Sequence, residues 1–248
     1  MAGEFEGKCA LVTGGGIGIG RSIALALADA GARVAITYRS HEPDAELTRG
    51  LGDAGLAVPL DATSDQAVRE ALQVVDAMLG GLDILINNAG GLVKRQSIAD
   101  MDLDLWHTVL AVNLDTMFLV THHALPYLRD GGRIVNIASL AGHNGGAPGS
   151  VAYGTSKAAV FGFTRGLSKE LAPRRITVNA VAPGLILDTP FHATFTAPEA
   201  QAASIEAIAL KRPGWPADVA GPVLALCSSA FSFVTGSIVD INGGQYFA

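Results

Sequence analysis

Lys8-Cys9-Ala10-Leu11-Val12-Thr13-Gly14-Gly15-Gly16-Ile17-Gly18-Ile19-Gly20 passes from a short apolar run directly into glycines, and then into an apolar-periodic segment that continues through Ala30. The succession reads as strand, turn and helix. Glycines at 14, 18 and 20 allow a sharp turn and a close backbone approach. The free N–H groups that open the helix attract negative charge, so the turn can cradle a pyrophosphate. Glycine alone is a weak signal, because loops collect it for steric reasons. A second strand at 33–37 strengthens it by completing the βαβ unit that a dinucleotide fingerprint requires.

Working outward, apolar runs near 8–13, 33–37, 56–60, 83–87, 133–138, 176–181 and 237–241 read as seven strands with helical patterns between them. Near-continuous runs such as Ile84-Leu85-Ile86 suit a parallel sheet covered on both faces. Right-handed crossovers then give an α/β, doubly wound seven-stranded sheet. With 248 residues, 49% of them hydrophobic, and no linker, charge block or repeat, the chain is expected to form one Rossmann-type domain over 1–248. The start, Met1-Ala2-Gly3-Glu4-Phe5-Glu6, is acidic and lacks an apolar core, and no charge-free stretch is long enough to cross a bilayer, so a soluble cytoplasmic protein without membrane contact is expected. Cys9 and Cys227 fall in packed elements and read as inert lone thiols. A net charge of -6 with scattered basic residues argues against nucleic acid, and the six histidines show no metal spacing, so no metal is expected.

The chemistry reads from the second half. Tyr153-Gly154-Thr155-Ser156-Lys157 places a phenol and an amine four residues apart on one helical face, and Ser139 follows the apolar stretch Ile134-Val135-Asn136-Ile137-Ala138. A phenol titrates near ~10; bringing it to about 7 takes roughly 4 kcal/mol, which one cation ~4 Å away at intermediate dielectric supplies. Lys157 is therefore expected to lower the Tyr153 pKa, and Ser139 to hold the oxygen that Tyr153 protonates. Taken alone, Tyr-x-x-x-Lys is equally readable as a chance pair on a solvated face.

These pieces together resemble the short-chain dehydrogenase/reductase family over essentially the whole chain. Thr13-Gly14-x-x-x-Gly18-x-Gly20 is similar to its cofactor loop, Asn87-Asn88-Ala89-Gly90 to its motif after the fourth strand, and Asn113, Ser139, Tyr153 and Lys157 to its catalytic tetrad. Asp61 resembles the acidic residue near the adenine, and Pro183-Gly184 the turn beside the nicotinamide. The resemblance implies a dinucleotide held by Gly14, Gly16, Ile17, Gly18, Ile19, Gly20, Tyr38, Arg39, Ser40, Asp61, Ala62, Asn88, Ala89, Gly90, Tyr153, Lys157, Pro183, Gly184 and Ile186. It also implies that Asn113 bends its helix and binds a water connecting Lys157 to solvent, and that NADPH gives its pro-S hydride to a ketone while Tyr153 gives a proton.

At the end of the second strand, Thr37-Tyr38-Arg39-Ser40 offers no carboxylate for the ribose hydroxyls of NAD, whereas Arg39 can pair with a 2′-phosphate and Ser40 can add a hydrogen bond. NADP(H) is favoured and NAD(H) is the alternative; Ile17 stands where many NADP-dependent relatives carry a basic residue. A lid over about 185–213 is expected to close a small-molecule carbonyl or alcohol site, with Ser139, Tyr153, His143 and Phe191 as substrate contacts, and Asn144, Phe195 and Trp215 as further candidates. The ending Asp240-Ile241-Asn242-Gly243-Gly244-Gln245-Tyr246 is similar to that of 3-oxoacyl carrier-protein reductases, and Arg129 and Lys169 are candidates for contacting an acidic carrier protein. The threonine expected after Pro-Gly is shifted by one, to Thr189 behind Asp188. Val109 to Val120 and Val151 to Phe163 are apolar on more than one helical face, which points to a homo-oligomer, with a tetramer favoured by the resemblance. Two other readings stand: an NAD-dependent alcohol, polyol or sugar dehydrogenase, and a non-catalytic dinucleotide-binding regulator, against which the full set of four residues counts.

Overall fold

All four residues of β1 (Cys9–Val12) are buried, and its side chains alternate between two apolar layers. Ala10 and Val12 join Ile23, Ala24 and Leu27 of α1 (Gly18–Asp29), while Cys9 and Leu11 join Val68, Leu72 and Val75 of α3 (Asp65–Leu79). That alternation with both faces covered is why the strand reads as continuously apolar. The structure, a computed structural model, describes residues 3–247. The other strands are β2 (Arg33–Tyr38), β3 (Leu56–Pro59), β4 (Leu82–Asn87), β5 (Leu128–Ile137), β6 (Thr177–Pro183) and β7 (Ile238–Ile241). They form one seven-stranded sheet in the order β3-β2-β1-β4-β5-β6-β7, parallel throughout. Order reverses between β1 and β4, the switch point beyond whose C-terminal ends doubly wound sheets bind ligands.

Helices α1, α2 (Ala45–Leu51) and α10 (Pro216–Cys227) cover one face; α3, α4 (Leu103–Leu110), α5 (Thr116–Ala124) and α7 (Val151–Leu171) lie on the other side. A single π turn, Ala111–Asp115, joins α4 to α5. Short helices α6 (Ala141–Asn144), α8 (Pro190–Phe195) and α9 (Pro198–Ala207) follow the C-terminal ends of β5 and β6. Leu103–Ala124 is long and apolar enough to span a membrane by length and composition, a stretch the charge-free criterion passes over because it carries Asp104 and Asp115. Here it is a layer of the domain: Val120 and Ala124 belong to the core beneath the sheet.

A buried polar ladder ties this layer to the sheet. Asn87 Nδ2 donates to Thr121 Oγ1 and to Asn136 Oδ1, both at 2.9 Å, and Asn136 Nδ2 donates to Thr164 Oγ1 at 2.9 Å. These directional bonds, which leave Asn87 Oδ1 buried without a partner, fix one register of α5 and α7 against β4 and β5, which apolar contacts alone would leave freer to slide. It thereby positions the segments that carry Asn113, Tyr153 and Lys157. Both cysteines are buried and free, and burial pushes the Cys227 thiol up to about 12.

Candidate active site

The chain's large cavity, about 1050 Å³, opens along the C-terminal ends of β1, β2, β4, β5 and β6. Its floor is the glycine turn. Gly14 and Gly18 have φ of +62° and +55°, a region that costs other residues strain. Ile17, at the N-cap of α1, gives no side-chain cap, whereas Asp44, Ser64 and Asp102 cap α2, α3 and α4 through the amides of Leu47, Ala67 and Leu105. The opening N–H groups of the twelve-residue α1 are thus left free to face an anion. Thr13 locks the turn to β4: its hydroxyl accepts the Asn88 and Ala89 amides at 2.9 and 3.0 Å, and Asn88 Nδ2 donates to Thr13 O and Gly14 O at 2.9 and 3.1 Å. The free amides and open glycine floor fit the pyrophosphate of a dinucleotide.

All nineteen positions expected to hold the dinucleotide line this cavity. Tyr38, Arg39 and Ser40 form one end, with Asp61 and Ala62 opposite; Thr63 donates twice to Asp61, and these bonds, then the Arg39 charge, hold its carboxyl below the usual range. His41 belongs here too and was absent from the sequence expectations: its Nδ1 lies 3.3 Å from Ser40 Oγ, and its carbonyl stands where a Cβ on Gly16 would come within 2.8 Å. Its only signal was adjacency to Arg39-Ser40.

At the other end, Ser139, Tyr153 and Lys157 converge. The Lys157 ammonium donates to Ile137 O at 2.9 Å and lies 5.8 Å from the Tyr153 ring centroid. Asn113 sits in the π turn, where its Nδ2 donates to Gly91 O at 2.8 Å and Val109 O at 2.9 Å while its Oδ1 accepts the Gly91 amide at 3.1 Å. With both Nδ2 hydrogens engaged, a water could be held there only through carbonyl oxygens. Gly90 is confined between these groups: a Cβ on it would stand 2.7 Å from Asn113 Oδ1 and 3.4 Å from Lys157 Nζ.

One expectation is reversed. Burial raises the Tyr153 pKa, partly offset by the Ser139 hydroxyl, and burial lowers Lys157 to about 8. The four-residue spacing does bring the pair to one face, but the loss of water around each group sets the direction of its shift.

A second correction concerns His143, expected to contact substrate. It lies outside the cavity, Nε2 3.0 Å from Asp240 Oδ1, its ring against Phe161 and Tyr246 at centroid distances of 4.5 and 5.3 Å; its neighbour Asn144 lines the cavity instead. Trp215 is exposed and also outside. Phe191 does face the site, its centroid 5.6 Å from Tyr153 and 5.6 Å from Phe195. Thr189 lines the cavity as well, its hydroxyl donating to Ile186 O at 2.9 Å behind Asp188 in the left-handed region. Arg129 is not a free docking cation: it donates to Asp83 at 2.5 Å and to Gly80 O at 2.6 Å at the start of β5, the end of the sheet away from the cavity. Lys169 is exposed in the last turn of α7, and twelve residues beyond Lys157 is about 18 Å along the helix.

A family model described as enoyl-(acyl carrier protein) reductase matches residues 15–245. The 3-oxoacyl-[acyl-carrier-protein] reductase of Aquifex aeolicus is 41% identical, over 98% of this chain and 99% of its own length. The chain belongs to the short-chain dehydrogenase/reductase family. The acetoacetyl-CoA reductase of Shinella zoogloeoides is 38% identical, over 97% of this chain and 99% of the relative. Among solved structures, a glucose/ribitol dehydrogenase of the family from Brucella melitensis superposes with a TM-score of 0.93 at 35% identity and full coverage of both chains. A short-chain dehydrogenase from Burkholderia cenocepacia, in complex with NADP, gives 0.88 at 36% identity over 98% and 99%. This short-chain dehydrogenase/reductase is an NAD(P)-dependent oxidoreductase with the family's keto-reductase pattern.

Proposed function

We propose that the protein reduces a ketone to a secondary alcohol with NADPH, as a soluble cytoplasmic enzyme of one domain. The observation that carries this reading is the convergence of Ser139, the buried Tyr153 phenol and Lys157 in the same cavity that the glycine turn floors. Carbonyl reduction needs a loaded proton donor, and that environment keeps the proton on. When bound, the dihydronicotinamide supplies the hydride. Ser139 holds the ketone oxygen, Tyr153 protonates it, Lys157 holds the ribose from its seat on Ile137 O, and Asn113 braces the Gly90-Gly91 wall beside Lys157. Asn88 and the glycine turn hold the pyrophosphate. The segment 185–213, with α8 and α9, acts as the substrate lid, and Phe191 excludes water over Tyr153.

The sign of the pH dependence follows. Reduction uses the protonated phenol, so its rate persists through neutral pH and falls only as pH approaches the raised Tyr153 pKa; oxidation of the alcohol uses the phenolate and rises toward alkaline pH. Rates for one ketone–alcohol pair, followed in both directions across pH, test this. An oxidation optimum at or below neutrality would contradict it.

NADP is the proposed cofactor because Arg39 lines the cavity without an ion-pair partner among the described residues, beside Ser40 and His41. A charge-assisted bond contributes about 1.5–3 kcal/mol, so Arg39→Ala is expected to weaken NADPH roughly tenfold to hundredfold and leave NADH nearly unchanged. Fluorescence titration with both cofactors checks this; equal affinities, untouched by the substitution, would favour the NAD-dependent dehydrogenase reading.

We also propose a homo-oligomer, a tetramer before a dimer, through the exposed faces of α5 and α7. Phe118 and Val151 are about half exposed there, and Ala158, Ala159 and Gly162 leave a shallow surface. Light scattering reads the assembly directly.

A further inference from the structure

The mechanism above leaves unused one cation at the substrate end of the cavity. Arg95, in the loop between β4 and α4, is partly buried and lines the cavity with Ser150, Phe191, His192 and Phe195. Its Nε donates to Phe195 O at 3.2 Å, and its Nη1 donates to Ser150 Oγ at 2.5 Å and Pro148 O at 3.4 Å. No protein acceptor takes the Nη2 hydrogens among the described residues. Every partner is neutral, in contrast to Arg21, Arg129, Arg174 and Arg212, which meet the carboxylates of Asp44, Asp83, Asp130 and Asp218. Asp61, at the opposite end, is the one carboxylate residue among the described residues lining the cavity. The unbalanced charge is felt next door: His192 is pushed down to about 4, first by burial and then by Arg95. A partly desolvated guanidinium with uncommitted donors is a cost to the folded chain that an incoming oxyanion offsets.

Position relates this charge to the reaction. Ser150 is the N-cap of α7, three residues before Tyr153, about 4.5 Å along the axis. Helical side chains lean toward the N-terminus, so Tyr153 leans over the turn that Ser150 opens. Phe191 and Phe195 continue the apolar wall from the phenol to the carbonyl that Arg95 holds.

We propose that Arg95 is a specificity-determining residue that receives an oxyanion, carboxylate or phosphate, carried by the ketone substrate a few bonds from its carbonyl. The preferred substrates are then short keto acids or phosphorylated hydroxyketones rather than neutral ketones. This rests on the reductase reading.

The test measures kcat and KM with NADPH for acetoacetate against methyl acetoacetate, and for dihydroxyacetone phosphate against dihydroxyacetone, in the parent, Arg95→Gln and Arg95→Lys. The parent is expected to favour the charged member of one pair at least tenfold in kcat/KM, chiefly through KM, and the favoured pair tells carboxylate from phosphate. Arg95→Gln should bring that ratio close to one, and Arg95→Lys should keep part of it. If Arg95 only straps the lid to Ser150, Arg95→Gln lowers charged and neutral substrates together and leaves the ratio unchanged; that result, or equal treatment of both members by the parent, overturns the proposal. Calorimetric titration of the NADPH-loaded protein with malonate and with inorganic phosphate is independent of turnover. Binding that Arg95→Gln weakens tenfold or more upholds the oxyanion site even in a protein that reduces none of the four compounds, a result that would count against the reductase reading alone. Binding unchanged by Arg95→Gln counts against the site.

Discussion

Tyr153→Phe is expected to lower kcat about a thousandfold or more while NADPH affinity changes less than about threefold. The substitution removes one hydroxyl and keeps the ring, so the contacts with Phe191, Leu92 and Ala152 survive and the fold is undisturbed. A positioned general acid contributes typically ~10²–10⁴ in rate, and no other group close to Ser139 can donate a proton as well: Lys157 is anchored on Ile137 O and Asn113 is engaged with Gly91 and Val109. In the proposed binding mode the cofactor is held by the glycine turn, Arg39 and Lys157, which the change leaves alone. Rates of NADPH oxidation with a ketone, compared with NADPH fluorescence titration, separate the two effects. Near-normal turnover in the variant would end the assignment of Tyr153 as the proton donor.

Gly20→Ala should cost both stability and cofactor. A Cβ on Gly20 would stand 2.4 Å from Asn88 Nδ2 and 2.4 Å from the Gly14 carbonyl, in the place where the first turn of α1 meets the Thr13–Asn88 bridge. Neither neighbour can swing away freely, since one is backbone and the other holds two carbonyls. Overpacking of about 1–3 kcal/mol plus one weakened hydrogen bond of about 1 kcal/mol gives roughly 2–4 kcal/mol. For a chain of this length that is a fall of roughly 4–16 °C in the melting temperature. NADPH affinity should fall tenfold or more, because the displaced carbonyl moves the floor beneath the pyrophosphate. Gly221→Ala is the control: it lies on the exposed side of α10 with nothing within 4 Å of the added Cβ, and helix propensity predicts a neutral or stabilising change of up to about 1 kcal/mol. Thermal unfolding of both variants decides it. Equal melting temperatures would show that the turn tolerates a side chain.

Much of the site was legible in sequence because it is built from local patterns. A strand running into glycines ahead of a periodic segment, and a tyrosine one helical turn from a lysine, each lie within about a dozen residues, and the sheet then carries them to one edge. Arg95 gave no such signal. It meets Ser150 across 55 residues and Phe195 across 100, so only folding joins them. His143 misled in the opposite sense: its place just after Ser139 pointed to the cavity, but the α6 turn rotates it toward Asp240 and Tyr246 on the far side.

The sequence by itself determined the parallel doubly wound sheet, the family and the four polar residues at its edge, because side-chain period and glycine conformational freedom act over a few residues at a time. Tertiary structure alone decided the directions in which burial shifts Tyr153 and Lys157, the packing of Gly90 against Asn113, and the place of Arg95 in the cavity wall beside Ser150 and Phe195. Those properties depend on how much water is excluded and which distant groups close the space, quantities that no stretch of chain carries until the layers have packed.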